Sequence, residues 1–400
     1  MSVPAESSHP GEEGRASPHA RYTKQSGTAI DRLADDLLVE ILSRVPAKSL
    51  LRFRCVSSHW LAVIDHPDHR KRLPQTPAGF FYGSNYESFL KPPFHFTSFP
   101  GRRRPPIDAS CSFLPNHRHI HLLDCSDGLF LCRCYDASDE GDEFRYVVCN
   151  PATEKWVVLP SSGKAASEVA AARLCFDPAL APHFHVFELV AEQESAFPWD
   201  PDTAGVAVYS SETGGWVYKE ERWNELIRPA DPGSAFVFLN GYLHFQANAR
   251  WFSHHHLAVV DTQGETWMSF GAPGGLVDGF IQRSQGRLHY ANFQRGGDGV
   301  TRLVVYVLDN YQNREWILKH SAEAPYIFGG IEAYLEGGFD WIAMDPECNM
   351  IYFTAGWGTT FMCYDMDLQQ VKVISNLEDG WPAYLTYVPL YAELQSLHAL

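Results

Sequence analysis

The sequence predicts a multidomain chain of the α+β class, in which a small three-helix domain is followed by an all-β propeller. Two patterns carry this prediction. Between positions 33 and 64, apolar residues recur at the spacing of short amphipathic helices. Beyond residue 78, short apolar strands recur in groups of four with a period of about 50 residues, which is typical of a propeller. We expect six blades, with seven as the alternative.

The first 29 residues are rich in Ser, Pro, Gly, Glu and His and show no apolar periodicity. Such a composition buries too little apolar surface to fold, so residues 1–29 are predicted to form a disordered tail. The boundaries predicted after it place the helical domain at 30–73 and a linker at 74–78. The propeller is expected at 79–391 and a C-terminal tail at 392–400.

The first helix is indicated by apolar residues that return to the same face every fourth position. These residues are Leu37, Leu38, Ile41, Leu42 and Val45. Asp35 and Asp36 fall in the first turn, where carboxylates stabilise the exposed N–H groups. Pro46 ends the helix, because it has no N–H and its ring clashes with the preceding turn.

Two more helices are expected directly afterwards. Leu50, Leu51 and Phe53 predict the second, and Ser57 suits the N-cap of a third helix that carries Trp60. Three short helices cannot hide this many large apolar side chains from water by themselves. Some of that surface should therefore bury against the rest of the chain or against another protein.

The strand repeats carry a tryptophan after their third strand. It is Trp156, Trp216, Trp267 and Trp316 in the first four repeats, and Val371 takes its place in the fifth. One small sheet cannot bury both faces, whereas neighbours in a ring cover them, and an outer tryptophan fills the widening space between blades. Strands near 79–82, 94–99 and 384–388 are expected to pair as a sixth blade, which closes the ring.

Composition argues against nucleic acid and membranes as partners. The chain has 48 Asp and Glu against 32 Lys and Arg, a net charge of −16, and an acidic protein repels phosphate backbones. No stretch approaches the roughly 20 apolar residues that span a bilayer. Nine cysteines without regular spacing fit free thiols in a reducing compartment, so we expect the nucleus and/or cytoplasm.

The stretch from Leu33 to Trp60 resembles the F-box of plant proteins in an unbroken register. The family pattern begins Leu-Pro-x-Asp-Leu-Leu-x-Glu-Ile-Leu and continues through Lys-Ser-Leu-Leu-Arg-Phe-Arg-x-Val-Ser to a tryptophan. This chain departs from it at Ala34, where the family has proline, and at Leu61, where a basic residue is common.

A second resemblance covers the region after the linker. Residues 124–131 and 146–160 are similar to the Ser-Cys-x-Gly-Leu strand and the Val-Cys-Asn-Pro-Ala-Thr turn of F-box-associated, kelch-like domains. The paired glycines and tyrosines of true kelch repeats are not regularly placed, so the domain is kelch-like and not kelch.

This resemblance implies a substrate-recognition subunit of an SCF-type (cullin–RING) ubiquitin ligase. The F-box would bind a Skp-type adaptor, and through it cullin and RING subunits. The propeller would bind an unidentified target protein for ubiquitination and proteasomal degradation. The resemblance implies no catalytic residue, metal or cofactor. The residues it assigns to adaptor binding are Leu33, Leu37, Leu38, Ile41, Leu42, Pro46, Leu50, Leu51, Val56 and Trp60.

Two other functions stay open. The first is a propeller lectin or enzyme with a vestigial F-box; His244 and His289 occupy equivalent repeat positions and are the first candidates to line its channel. The second is a scaffold that binds the adaptor without directing degradation.

A histidine-rich strand, His117-Arg118-His119-Ile120-His121, places alternate imidazoles on one face. With a further ligand this array suits zinc, but an exposed strand edge is the favoured interpretation. The sequence has no P-loop, nucleophile elbow or zinc-protease motif.

Overall fold

The structure is a computed structural model of the chain. It describes residues 33–45, 47–70, 72–73, 76–83, 89–92, 94–102, 104–105, 107–108, 110–114, 117–136, 143–192, 202–221, 223, 227–229, 235–249, 252–276, 279–311, 313–328, 339–346, 348–356, 359–377 and 384–397. The predicted N-terminal tail and Pro46 lie outside these residues. None of the described helices is long and apolar enough to cross a membrane.

The N-terminal domain has the three predicted helices and one further helical turn. They are α1 (Asp35–Leu42), α2 (Ala47–Phe53), α3 (Ser58–Asp65) and α4 (Pro67–Arg70). The hydroxyl of Ser57 accepts a hydrogen bond from the Trp60 N–H at 3.1 Å, which confirms the predicted cap of α3. Phe53 of α2 meets the Trp60 ring edge to face at 5.3 Å, so these two helices share a core.

The described residues after the N-terminal domain lie mainly in antiparallel strands. A short helix, α5 (Ala324–Phe328), follows the nineteenth strand. In chain order the strands are β1 (Gly79–Tyr82), β2 (His95–Ser98), β3 (His117–Ser126), β4 (Leu129–Asp136), β5 (Phe144–Asn150), β6 (Lys155–Val158), β7 (Val169–Cys175), β8 (His185–Ala191), β9 (Thr203–Ser210), β10 (Gly215–Glu220), β11 (Ile227–Pro229), β12 (Phe236–Leu239), β13 (Tyr242–Ala249), β14 (Phe252–Asp261), β15 (Trp267–Gly271), β16 (Phe280–Ser284), β17 (Arg287–Arg295), β18 (Thr301–Asn310), β19 (Glu315–Glu323), β20 (Asp340–Met344), β21 (Met350–Ala355), β22 (Thr360–Asp365), β23 (Gln370–Asn376) and β24 (Tyr384–Tyr387).

These strands form six sheets, which confirms the six-bladed propeller. The first, second, fourth and fifth blades are the four-stranded meanders β3–β6, β7–β10, β16–β19 and β20–β23. In the third blade, β11 and β12 pair with successive parts of β13, which continues through β14 to β15. The closing blade joins β1 and β2 from the start of the domain to β24 from its end, as the sequence predicted.

Each seam between neighbouring blades is filled by its own apolar cluster, and the described residues supply six such clusters for six seams. The closing blade shows how one strand serves two seams, because successive side chains of a strand point to opposite faces. Phe80 meets Phe361 of the fifth blade at 4.9 Å, whereas Phe81 meets Phe130 of the first blade at 5.1 Å.

The repeated tryptophans lie on the outermost strands at equivalent register positions, as predicted. Trp156, Trp216, Trp267 and Trp316 each pair with the third strand of their blade, and Val371 does so in the fifth. Two of them also tie their blade to the preceding one. The indole of Trp216 donates to the Pro160 carbonyl at 2.8 Å, and that of Trp316 donates to Gly271 at 3.2 Å.

The segment after β24 packs onto the propeller as far as Leu397. Leu390, Leu394 and Leu397 are buried in the seam between the first and second blades. The side chain of Asn150 donates to the Leu390 carbonyl at 2.8 Å, which fixes the segment to β5. The residues predicted as a C-terminal tail from 392 therefore contribute to the domain core in their described part.

A Leu397→Ala substitution tests this packing. We expect it to lower the free energy of unfolding by about 2–4 kcal/mol, because it empties a buried site that the seam cannot fully collapse around. Urea denaturation followed by tryptophan fluorescence measures the change. Leu368→Ala removes the same atoms from an exposed turn and should cost less than about 0.5 kcal/mol. Equal stability of the two variants would show that the segment does not support the fold.

Candidate functional site

Helix α1 has two apolar faces, and only one of them is covered. Leu38 and Leu42, one turn apart, are buried together with Leu50 and Trp60 in the core of the helical domain. Leu37 and Ile41, also one turn apart, leave 56% and 50% of their surface in solvent. Residues four apart lie on the same side of a helix, so the second pair forms a continuous apolar strip.

The ten residues predicted to bind the adaptor thus divide into different groups. Leu38, Leu42, Leu50 and Trp60 are buried in the core of the helical domain. Leu37, Ile41 and Val56 are exposed, Val56 by 61%, and Leu33 is half-buried. Direct contact with the adaptor stays a prediction for all eight residues. Pro46 and the side chain of Leu51 lie outside the described part of the chain.

Ion pairs hold the helices that present the exposed strip. Arg54, after α2, meets Asp65 of α3 at 3.0 Å with both side chains largely buried. Glu40 accepts hydrogen bonds from Arg44, at 2.6 Å, and from Arg72. These two guanidinium groups, Arg44 foremost, lower the pKa of Glu40. The polar edge of α1 is therefore anchored to the end of the domain, while its apolar strip faces solvent.

Ala34 lies at the N-cap of α1, where the resemblance expects proline. Its backbone is extended, with φ −63° and ψ 146°, and its carbonyl accepts the first helical hydrogen bonds from Leu37 and Leu38. The alanine side chain makes no capping hydrogen bond. Because φ matches the value that a proline ring imposes, the backbone is already in the conformation of the family residue.

The two histidines proposed as channel residues of an enzyme lie elsewhere. His244 and His289 are on β13 and β17, which are second strands of their blades, and both are buried. His244 Nδ1–H donates to the Val237 carbonyl at 3.1 Å, and Nε2 of the neutral ring accepts from the Tyr311 hydroxyl at 2.7 Å. Burial lowers the pKa of His244 to about 4 and, with help from Lys319, that of His289 to about 4. Both residues are therefore buried side chains of the blades.

The histidine-rich start of β3 lines a cleft of about 640 Å³. A bulge interrupts the pairing of β3 with β4 between His117 and His119. His119 stacks on Tyr135 at 4.1 Å, and His121 stacks on Phe89 at 4.3 Å. Neighbouring rings therefore hold two of the imidazoles. Among the described residues, no group of three or more His, Cys, Asp or Glu side chains is placed to hold a metal ion.

A cross-channel ion pair lies at the other end of β3. Arg283, on the inner strand β16 of the fourth blade, meets Asp177 at 2.8 Å and Asp127 at 3.6 Å. Asp177 follows the inner strand β7, and Asp127 lies in the turn after β3. The guanidinium thus joins three blades across the axis. Sequence reasoning missed this contact, because the partners Arg283 and Asp177 are 106 residues apart and share no motif.

The burial of His244 predicts a specific pH dependence. Its imidazole should titrate near pH 4 in the folded protein. NMR of the chain labelled at histidine measures this titration, and the His244→Gln variant identifies the signal of His244. The unfolded state binds that proton at about pH 6.5, so stability should fall as pH falls from 6.5 to 4, by up to about 3 kcal/mol for this group. Titration near pH 6.5 would indicate a solvated, channel-lining histidine instead.

Comparison with known proteins identifies both domains. The F-box domain family matches residues 30–72, and the family described as F-box protein At3g26010-like, beta-propeller matches residues 107–384. Two Arabidopsis thaliana relatives align over most of the chain. F-box protein At5g07610 is 24% identical over 76% of this chain and 73% of its own length. F-box protein At1g30790 is 25% identical over 74% of this chain and 76% of its own length.

A shorter match is closer in sequence. The Arabidopsis thaliana F-box protein At2g15640 is 31% identical over 150 residues, which cover 32% of this chain and 34% of that protein. The relatives and both family matches agree with the order of domains in the structure. The chain therefore belongs to the plant F-box proteins that carry an At3g26010-like β-propeller.

Proposed function

We propose that this protein is the substrate-recognition subunit of an SCF-type ubiquitin ligase. Its F-box binds a Skp-type adaptor, through which cullin and RING subunits join, and its propeller binds the protein to be ubiquitinated. The observation that supports this most is the uncovered apolar strip of Leu37 and Ile41 on a helix whose opposite face is already packed. An apolar strip of this kind on an otherwise filled small domain is suited to a protein partner.

In this proposal the chain acts by proximity and performs no bond chemistry. Holding a target near the ubiquitin thioester raises the effective concentration of its lysines, which converts a bimolecular encounter into a local one. The chain needs two binding surfaces and a stable connection between them. The propeller suits the second surface because its closed ring fixes the ends of the strands from which the connections leave.

The alternatives receive less support from the described residues. An enzyme or lectin would need a set of polar groups at the channel, and the candidates His244 and His289 are buried on the second strands of their blades. A scaffold would bind the adaptor in the same way. It would differ from a ligase receptor only in that the bound protein is not degraded. We propose the nucleus or cytoplasm as the compartment, in keeping with nine cysteines that are all free thiols.

A pair of charges on the exposed strip tests adaptor binding. Leu37→Asp combined with Ile41→Asp should abolish co-purification of the Skp-type adaptor, because two carboxylates would have to be buried without partners. Both positions are exposed in the free chain, so the helical domain should keep its stability. Affinity purification of the full chain co-expressed with the adaptor measures the outcome.

The matched control places the same two charges on the propeller. Leu368→Asp with Val373→Asp changes two apolar residues that are as exposed as the pair on α1. This variant should retain the adaptor in full. Retention of the adaptor by the α1 variant, or loss by both variants, would contradict the assignment of the strip.

The departure at Ala34 gives a second prediction. Ala34→Pro should leave the fold intact, because the position already has φ −63°. It should stabilise the domain by about 0.4–1 kcal/mol through a less flexible unfolded chain. It should also strengthen adaptor binding by restoring the apolar residue that the family presents there. Calorimetric titration with the adaptor measures the affinity, and weaker binding of the proline variant would count against this docking geometry.

A further inference from the structure

We propose that the outer edge of β2 binds an extended segment of the recruited protein, which pairs antiparallel to β2 as a fourth strand of the closing blade. The segment places an aromatic residue opposite Thr97 and, one residue later, an acidic residue opposite Phe96. That it belongs to a protein recruited for ubiquitination rests on the function proposed above. The chemistry of the site rests on the closing blade alone.

The closing blade has one strand fewer than the first blade. Its described strands are β24, β1 and β2, and β24 is the inner one because it lies beside the inner strands β3 and β20. In the other blades a further strand covers the third, and the third strands β5 and β9 are mostly buried. All four residues of β2 remain only half-buried. The third strand of the closing blade therefore has an accessible edge.

The backbone of β2 offers hydrogen-bonding groups along this edge. The Phe99 N–H, directly after β2, donates inwards to the Ala78 carbonyl at 2.9 Å. Because the N–H and C=O groups of successive strand residues point to opposite sides, those of Phe96 and Ser98 point outwards. No described residue pairs with them there. A row of such groups is the template on which an extended peptide adds as a strand.

The other blades show which side chain such a strand presents. In the first two, the tryptophan of the outer strand lies opposite the second-to-last residue of the third strand, Cys149 or Tyr209, and both members face the preceding blade. The second-to-last residue of β2 is Thr97. Its partner Phe80 lies in the cluster between the closing and fifth blades, so Thr97 also faces the preceding blade. An aromatic residue opposite Thr97 repeats this arrangement.

The preceding blade has an apolar surface at the corresponding place. Ile374, on its outer strand β23, is half-buried and packs against the cluster that contains Phe80. An aromatic side chain opposite Thr97 points towards this surface, because it faces the same seam as Thr97. Tryptophan is the residue that the repeat itself uses at this position, and we therefore choose it for the probe.

Arg104 supplies the charge that selects the next residue of the segment. Its side chain is exposed, and its guanidinium lies over the Phe96 ring, 5.7 Å from the centroid. It forms no ion pair with any residue in the described part of the chain. Side chains directly opposite each other in a sheet point to the same face, so the residue opposite Phe96 lies next to Arg104. A carboxylate there gains a charge-assisted hydrogen bond.

The same charge argues against two other occupants of the edge. The first is the N-terminal segment, whose aromatic residue within positions 1–32 is Tyr22. The charged residues nearest to it, Arg21 and Lys24, are cations and would be repelled by Arg104. The second is another copy of this chain, which would bring its own Arg104 to the edge. An acidic segment of a different protein is complementary to the edge, whereas these two are not.

The surroundings of β2 set the length of the segment. Pro92 and Pro100 lie on either side of β2 and have no N–H, so pairing is limited to the short stretch between them. Leu90, which precedes β2, is joined to Leu122 of the inner strand β3 by two hydrogen bonds of 2.9 Å. This part of the connection between β1 and β2 thus lies beside an inner strand and not along the outer edge.

Two peptides that differ in the position of one methyl group test strand addition. The probe is a fluorescent peptide of alternating Thr and Val with Trp-Glu at its centre, and its anisotropy is measured with the full chain co-expressed with the adaptor. N-methylation of the Glu amide removes the N–H that pairs with the Phe96 carbonyl, so binding should weaken at least about tenfold. N-methylation of the Trp amide is the control. That N–H points away from β2, and binding should change less than about twofold.

Substitutions in the peptide test the two side chains. Ala in place of Trp should weaken binding at least about tenfold, because the large apolar surface is lost. Lys in place of Glu should weaken it at least about fivefold. Arg104→Glu should reverse this second preference, so that the Lys peptide binds more tightly than the Glu peptide. Lys155→Glu changes an exposed charge on β6 and should leave the preference as it is in the wild-type chain.

A proline in the edge locates the binding on β2. Ser98→Pro removes an N–H that points outwards and leaves the bonds to β1 in place, so it should abolish peptide binding without unfolding the blade. Absence of binding to the wild-type chain, or equal binding of the two methylated peptides, would overturn the proposal. So would an Arg104→Glu variant that still prefers the Glu peptide.

The other occupants give different results in the same preparations. Light scattering should give one copy of the chain per complex for the wild-type protein and for Ser98→Pro. A wild-type mass that falls by one chain in Ser98→Pro would assign the edge to a second copy. Tighter binding of the peptide to a Tyr22→Ser variant would assign it to the N-terminal segment. Either result would overturn the proposal.

The adaptor separates this proposal from the ligase function. The Ser98→Pro and Arg104→Glu variants should retain the adaptor in full. A chain that binds the Trp-Glu peptide at β2 but cannot hold the adaptor would refute the ligase function and leave the edge assignment standing. Adaptor retention by a chain that does not bind the peptide would do the reverse.

Discussion

The propeller depends on the pairing of β1 with β24, which joins residues about 300 positions apart in one sheet. Gly79, Phe80, Phe81 and Tyr82 pair in register with the strand that ends at Tyr387, and the Ala78 N–H donates to the Tyr387 carbonyl at 2.9 Å. Without this pairing, the first and fifth blades would each expose an apolar face, because Phe80 and Phe81 serve both seams. Ring closure therefore links the start of the domain to its end.

A closed ring also explains how the molecule separates its tasks. Each blade is covered by its neighbours, so the strands supply the body of the core, and connecting segments add buried residues such as Leu114, Trp223 and Leu397. One end of the axis is crossed by Arg283 and Asp177, whereas the other carries the histidine-lined cleft. The F-box also separates the residues that form its core from those that face solvent. Leu38 and Leu42 supply its stability, which leaves Leu37 and Ile41 available to a partner.

Much of this organisation was predictable from local pattern. The tryptophans on the outer strands and the cap at Ser57 follow from residue type and spacing alone. Contacts that depend on packing were not. Leu37 and Leu38 are identical residues, and only the packing of the other helices decides which of them is buried. His244 and His289 are equivalent in the repeat, but the repeat alone does not show that they lie on the second strand of each blade, away from the propeller axis. Arg283 and Asp177 meet only once the ring has closed.

The central claim is that the F-box delivers what the propeller holds to a ubiquitin ligase. Proximity labelling in plant cells with and without proteasome inhibition tests it most directly, comparing the wild-type chain with the Leu37→Asp, Ile41→Asp variant. The account predicts a set of proteins that are labelled by both chains. Without the inhibitor these proteins should be less abundant on the wild-type chain than on the variant, and with the proteasome inhibited they should be equally abundant on both. Partners whose abundance is equal on the two chains, and insensitive to the inhibitor, would contradict it.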